Sequence, residues 1–145
     1  ISQLVMDCGL SDVSLINTKS NIVDCETIHI ATGVADFNSL GLGNFNASSY
    51  IFDVGMGSAE IDMSGSANRN SSLTINVTVG SLELILPTNT NIELIINNNM
   101  LSSVNVKGLV SSGDGKYTSR NNQKRWSTLK AEVSVGLGSV DISVD

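Results

Sequence analysis

Apolar and polar residues alternate over most of this chain, which is the pattern of β-strands that are buried on one face. Residues 72–79 have the sequence S-L-T-I-N-V-T-V, and residues 129–135 have the sequence L-K-A-E-V-S-V. Clusters of Gly, Asn and Ser, which favour turns, separate these runs from shorter apolar ones at 28–30, 50–54, 92–96, 104–106 and 140–144. Helical periodicity is nearly absent. The pattern therefore predicts an all-β fold.

A phrase built around glycine recurs along the chain and sets a period. It occurs as Gly55-Met56-Gly57-Ser58, as Gly80-Ser81 and as Gly136-Leu137-Gly138-Ser139. The small polar residue after the glycine, or at the equivalent place, serves as a marker of each repeat. The markers are Asp12, Asp36, Ser58, Ser81, Ser103 and Ser139. They are separated by 24, 22, 23, 22 and 36 residues. A repeat of this length is typical of units that stack on their neighbours. The sequence predicts one domain, residues 1–145, folded as a β-solenoid of about six coils.

The alternation around Gly80 predicts which side chains face the interior of the stack. These are the apolar residues Leu73, Ile75, Val77, Val79, Leu82, Leu84 and Leu86. Because glycine tolerates a positive φ or a tight bend, Gly55, Gly80 and Gly136 are predicted to hold bends at the same place in successive coils. Gly57 and Gly138 are expected to hold bends in the same way.

Stacking in chain order would also align one outward-facing position in every coil. The predicted outward ladder is Ser14, Asn38, Glu60, Glu83, Asn105 and Asp141. Glu60 and Glu83 would then be about 4.8 Å apart, which is the spacing between neighbouring strands. The two carboxylates either splay into solvent or share a cation such as calcium with Asp62. Solvent is favoured because the chain has no tight D-x-D-x-D loop.

Composition excludes several classes of function. The chain has 145 residues and a net charge of -6, from 14 acids and 8 bases, which disfavours nucleic-acid binding.

Cys8 and Cys25 are predicted to be free thiols, although one bridge between them is an alternative. No apolar run is long enough for a membrane-spanning helix, and no signal-peptide pattern opens the chain. Because the chain begins at Ile1, it is interpreted as a domain cut from a longer protein.

Candidate catalytic chemistry is sparse. His29 is the single histidine, and its neighbours Ile28 and Ile30 predict that it lies on the outer face of a strand. No metal-ligand spacing and no Gly-x-Ser-x-Gly motif is present, so no metal, cofactor or catalytic residue is predicted. A small carbohydrate-active enzyme remains an alternative. It would need two carboxylates within about 10 Å in a deep cleft.

One segment, residues 116–130, breaks both the period and the charge pattern, and it is called the basic segment below. It holds five of the eight bases and no acid, together with the single tryptophan. It follows a loop around Gly113-Asp114-Gly115, and two interpretations apply. In the first, the segment is a long hairpin on which Trp126 caps one end of the solenoid. In the second, it docks an acidic protein, anionic lipid head groups or a cell-wall polymer through Lys116, Tyr117, Arg120, Lys124, Arg125 and Trp126.

Several runs in the second half of the chain resemble a known family. Residues 79–87, 91–94, 102–108 and 129–144 are similar in order and spacing to the C-terminal domain of the LiaF-like cell-wall-active antibiotics response proteins. They are also similar to related adhesin domains. The resemblance covers roughly residues 52–145 and implies a non-enzymatic, β-helix-like domain that membrane helices tether to the bacterial membrane. In the best-known group, the protein restrains a sensor of envelope stress. The family has no site motif, so no binding residue is transferred.

The function predicted from the sequence is a non-enzymatic interaction or scaffold module at the cell envelope. Its expected partner is a protein, as for the soluble domain of a membrane-tethered stress regulator. The main alternative is a surface adhesin that binds a glycan or a cell-wall polymer.

Overall fold

A computed structural model describes residues 3–10, 12–20, 25–65, 69–98 and 102–144. These residues form strands and one short 3-10 helix, Leu42–Phe45, and they include no α-helix. The all-β prediction is confirmed. The eleven strands are β1 Gln3–Leu10, β2 Val13–Ile16, β3 Cys25–Val34, β4 Phe37–Leu40, β5 Ala47–Asp62, β6 Ser71–Leu86, β7 Asn91–Asn98, β8 Ser102–Lys107, β9 Leu109–Gly113, β10 Lys116–Ser119 and β11 Thr128–Val144.

The first four turns of the chain stack in sequence order as parallel strands. β1 pairs with β3, β3 with β5 and β5 with β6, while β2 pairs with β4 and β4 with the end of β5. Marker residues lie level with one another, as Ser58 does with Ser81 and Ser81 with Ser139. The period in the sequence is therefore the offset from one strand to the next in a parallel sheet.

The last long strand departs from chain order. β11 pairs in parallel with β6 on one edge and with both β7 and β8 on the other. β10 then pairs antiparallel with the free edge of β7, and β9 with β10. The predicted stacking in chain order is thus wrong for the last two turns, because β11 lies between β6 and β7.

The insertion of β11 changes the predicted outward ladder. Its order is Glu60, Glu83, Asp141 and then Asn105, so three exposed acidic side chains are consecutive. Glu60 and Glu83 are neighbours as predicted. Among the residues that the structure describes, no group of three or more His, Cys, Asp or Glu side chains is arranged to hold a metal ion.

The long strands change their buried face at a corner. In β6, the buried side chains before the corner are Leu73, Ile75 and Val77, and those after it are Leu82, Leu84 and Leu86. The interior prediction is confirmed for these six residues and wrong for Val79, which is only partly buried. Val79 immediately precedes the change of phase, so its side chain points outward. It joins an apolar stripe along the corner that also contains Leu10, Val34, Met56 and Leu137.

Three glycines in register form this corner. Gly57, Gly80 and Gly138 have φ values of 133°, 146° and 143° and are paired across β5, β6 and β11. A Cβ on Gly138 would lie 1.7 Å from the carbonyl oxygen of Gly80. The prediction that Gly55 and Gly136 hold this bend is wrong, because they lie two residues earlier without a positive φ. Glycine is needed there for space, since a Cβ at Gly55 would lie 2.5 Å from a carbonyl oxygen of β3.

Strand register also decides the state of the two cysteines. Cys8 lies opposite Thr32, which is seven residues along β3 from Cys25. At about 3.3 Å per residue this separation exceeds 20 Å, whereas a disulfide needs Cα atoms within about 7 Å. Both thiols are free, as predicted, and Cys25 is fully buried while Cys8 is partly exposed. Burial raises the pKa of the Cys25 thiol.

We expect Gly138→Ala to destabilise the fold by at least about 1–3 kcal/mol, because alanine disfavours the positive φ and its Cβ would meet the carbonyl of Gly80. The matched control is Gly9→Ala in β1, where a Cβ would contact nothing within 4 Å. That variant should change the free energy of unfolding by less than about 0.5 kcal/mol. Urea denaturation of both variants measures the difference. Equal stabilities would contradict the role of the corner.

We expect a thiol reagent to modify Cys8 in the folded protein at pH 8 and to modify Cys25 only after unfolding. The physical reason is that the reactive species is the thiolate, which burial of Cys25 both shields and disfavours. Time-resolved labelling followed by peptide mass spectrometry distinguishes the two sites. Labelling of Cys25 at the rate of Cys8 would be inconsistent with the burial of β3.

Candidate functional site

The basic segment contributes both to the edge of the sheet and to a loop. Lys116 and Tyr117 belong to β10, whereas Arg120, Lys124 and Arg125 lie in the loop before β11, and all four bases are exposed. Tyr117 lies opposite Leu94 and packs against the core. β9 and β10 form an antiparallel hairpin that includes only residues 116–119 of the basic segment. Trp126 is partly buried, and its capping role stays a prediction.

Asn91, at the start of β7, fastens the loop of the basic segment. Its side-chain amide donates to the carbonyl oxygens of Gln123, at 2.7 Å, and Trp126, at 3.3 Å. Its Oδ1 accepts from the Gln123 backbone N–H at 2.8 Å, and its own N–H donates to the Ser127 carbonyl at 2.9 Å. This one partly buried asparagine therefore satisfies several backbone groups of the loop.

One acidic residue of a neighbouring strand lies beside the strands of the basic segment. On the outer face, Glu93 of β7 lies between Thr118 and Lys130. Lys116 is level with Ile95, four residues along β7 from Asn91 and therefore about 13 Å from the attachment of the loop. The six residues of the predicted docking patch are thus spread over two places, and docking by them stays a prediction.

Hydrogen-bonding side chains line the outer face of the long strands. His29 points outward as predicted and is 41% exposed, and its Nε2 lies 3.2 Å from Oδ2 of Asp53. Asn76 donates from Nδ2 to Oδ1 of Asp53 at 3.0 Å. The contact between His29 and Asp53 is the one salt-bridge geometry found in the part of the chain that the structure describes. Among the described residues, Asp53 is the hydrogen-bond partner of the His29 ring.

An open groove lies on the same face, where β6, β11 and β7 are adjacent. Asn76, Ser134 and Asn97 occupy successive strands at one level, with Ser134 in the middle. The turn between β9 and β10 forms one wall with Asp114, whose φ is 50°. The groove has a volume of about 650 Å³ and is lined by Asn76, Val77, Thr78, Ile96, Asn97, Asp114, Ser134, Val135 and Gly136.

The alternating runs 72–79 and 129–135 predicted that Asn76 and Ser134 face outward, whereas Asn97, in the run of three asparagines after residues 92–96, was predicted to lie in a turn. The turn prediction is wrong, because β7 extends through Asn97. Nothing in the sequence placed the three residues side by side. Their convergence depends on β11 lying between β6 and β7. Asp114 is the one carboxylate that lines the groove.

Comparison with known proteins gives a fold but no family. Neither the protein-family models nor the curated proteins contain a match to the chain. The structure is similar to the crystal structure of a "putative cell adhesion protein" from Clostridium sporogenes, with a TM-score of 0.77 and 15% sequence identity. The alignment covers 99% of this chain and 93% of that chain. The two proteins share a fold.

Within the described part of the chain, no helix is long and apolar enough to cross a membrane.

We expect Asn91→Ala to loosen the loop of the basic segment, because the variant removes all three side-chain hydrogen bonds that hold it. Limited trypsin digestion should cut after Lys124 or Arg125 at least tenfold faster than in the native protein. Asn89→Ala, in the exposed turn just before β7, is the control and should be cut at the native rate. Unchanged cleavage of Asn91→Ala would show that other contacts fix the loop.

Proposed function

We propose that this chain is a non-enzymatic binding module of the bacterial cell envelope and that it acts in adhesion. The proposal rests mainly on one observation. On the outer face of the sheet, asparagine, serine, threonine and acidic side chains line an open groove. Similarity of fold to a protein described as having a role in cell adhesion, over nearly the full length of both chains, supports the same function.

The proposal that the chain is not an enzyme follows from the chemistry of the groove. A single carboxylate lines it, and among the described residues the hydrogen-bond partner of the His29 ring is Asp53, outside the groove. The groove is also open to solvent, whereas catalysis benefits from side chains that are held in a water-excluding site. These side chains suit recognition of a ligand better than its conversion.

We also propose that the architecture is a variant of the β-solenoid in which the last coil inserts between the two before it. The parallel register and the aligned corner glycines support this description. The regulatory role that the LiaF-like resemblance implies rests on the similar sequence runs alone. Adhesion is the alternative for which the structural comparison provides additional support.

The proposal is tested by binding of the immobilised domain to intact bacterial cells, to purified cell walls and to phosphatidylglycerol vesicles. We expect retention of cells or cell walls and no retention of vesicles. A triple variant, Arg120→Glu with Lys124→Glu and Arg125→Glu, should keep the fold, since exposed charges contribute little to stability. It should also retain at least half of the native binding.

The opposite pattern would contradict the adhesion proposal. If the domain binds only the anionic vesicles, and the triple variant abolishes that binding, the basic segment is a docking patch. If the domain binds neither cells, nor cell walls, nor vesicles, the adhesion proposal is wrong.

A further inference from the structure

We propose that the groove between β6, β11, β7 and the β9–β10 turn binds a neutral, hydroxyl-rich glycan. The inference rests on the proposed adhesion function and adds to it a site and a class of ligand. Four features of the groove carry it: two oriented asparagine amides, a glycine in the floor, a charge that excludes polyanions, and a suitable size.

Each asparagine amide is held so that its oxygen is available. Asn97 donates from Nδ2 to Oε1 of Glu132 at 2.9 Å and to Oγ of Ser134 at 3.2 Å. Asn76 donates from Nδ2 to Oδ1 of Asp53. Because an amide is planar, fixing the nitrogen also fixes the oxygen. Among the described residues no donor reaches either Oδ1, so both are oriented acceptors.

The spacing of these acceptors favours an extended ligand. Asn76 and Asn97 lie two strands apart with Ser134 between them, which is about 9.6 Å at the usual strand spacing. The hydroxyl of Ser134 lies between the two amides, and the exposed hydroxyl of Thr78 lies farther along β6. Hydroxyl groups of a sugar chain can donate to the amide oxygens and accept from the serine and threonine hydroxyls.

The floor of the groove is kept open by Gly136. A Cβ at this position would lie 2.6 Å from the carbonyl oxygen of Thr78, so a larger residue would strain the pairing of β11 with β6. The wall is also fixed, since Gly115 in the turn accepts the backbone N–H of Ile96 at 2.8 Å. The resulting volume of about 650 Å³ falls in the range of about 300–1,000 Å³ that small-molecule sites occupy.

Charge selects a neutral ligand over an anionic one. Asp114 lines the groove, Asp53 and Glu132 lie behind the two asparagines, and no base is among the lining residues. The whole chain carries a net charge of -6. A phosphate-rich or carboxylate-rich polymer would be repelled at this site. No aromatic side chain lines the groove either, so each site is expected to bind weakly and to gain strength when many copies are displayed.

The test is titration of the isotope-labelled chain with neutral oligosaccharides, followed by backbone amide NMR shifts. The probes are tetrasaccharides of glucose, mannose and N-acetylglucosamine, with oligogalacturonate as the anionic control. We expect at least one neutral probe to shift the amides of Asn76, Asn97, Ser134 and Gly136. Oligogalacturonate should shift none of them.

Variants separate the groove from the rest of the surface. Asn97→Ala and Ser134→Ala should each weaken binding of the neutral probe at least fivefold without altering the thermal unfolding midpoint by more than about 2 °C, as expected for exposed or half-exposed positions. Asn38→Ala, an exposed asparagine on β4, is the matched control and should bind as the native chain does.

Three results would overturn the inference. Neutral probes that shift residues elsewhere would leave adhesion intact but place the site outside the groove. Preference for oligogalacturonate would contradict the class of ligand. Binding to cells or cell walls by a chain that binds none of the saccharides would show that the adhesion target is not a glycan, so the proposed function would survive without this site.

Discussion

The structure depends on the pairing of β11 along both of its edges. This strand runs in register with β6 over nearly its whole length, and its other edge pairs with β7 and then with β8. Every backbone N–H and C=O of a central strand needs a partner, and two parallel neighbours supply them. Because β11 joins the first four turns of the chain to the fifth, the buried row that includes Leu73, Ala131 and Leu94 is continuous across the junction.

The corner glycines make such close stacking possible. At each corner, the carbonyl oxygen of one turn occupies the space that a Cβ of the neighbouring turn would need. The carbonyl oxygen of Gly80, for example, occupies the space of a Cβ on Gly138. The same corner places Val79, Met56 and Leu137 on the outside, where they form an apolar stripe. At the corner the alternation of buried and exposed positions shifts by one residue, which buries Leu82 and Leu84. The same shift leaves the residue before each corner glycine on the outside.

The basic segment, which stands out in the sequence by its charge, supplies none of the residues that line the groove, whereas the turn that precedes it supplies Asp114. β10 covers the edge of β7, Tyr117 closes the core there, and the turn supplies Asp114 as a wall. Asn91 fastens the loop that carries the chain back to β11. The extra residues of the last repeat are thus the connection that allows β11 to reach its place between β6 and β7.

Sequence alone determined that the chain is all-β, the period, the outward position of His29 and the burial of Leu73, Ile75 and Val77. Side-chain direction in a strand depends only on alternation along the chain, so local information is sufficient. It did not determine which turns are neighbours, because the hydrogen bonds between parallel strands are made by backbone groups that every turn carries. The proximity of Asp141 to Glu83, and of Ser134 to Asn76 and Asn97, was therefore decided by the tertiary structure, since it depends on contacts between segments that are distant along the chain.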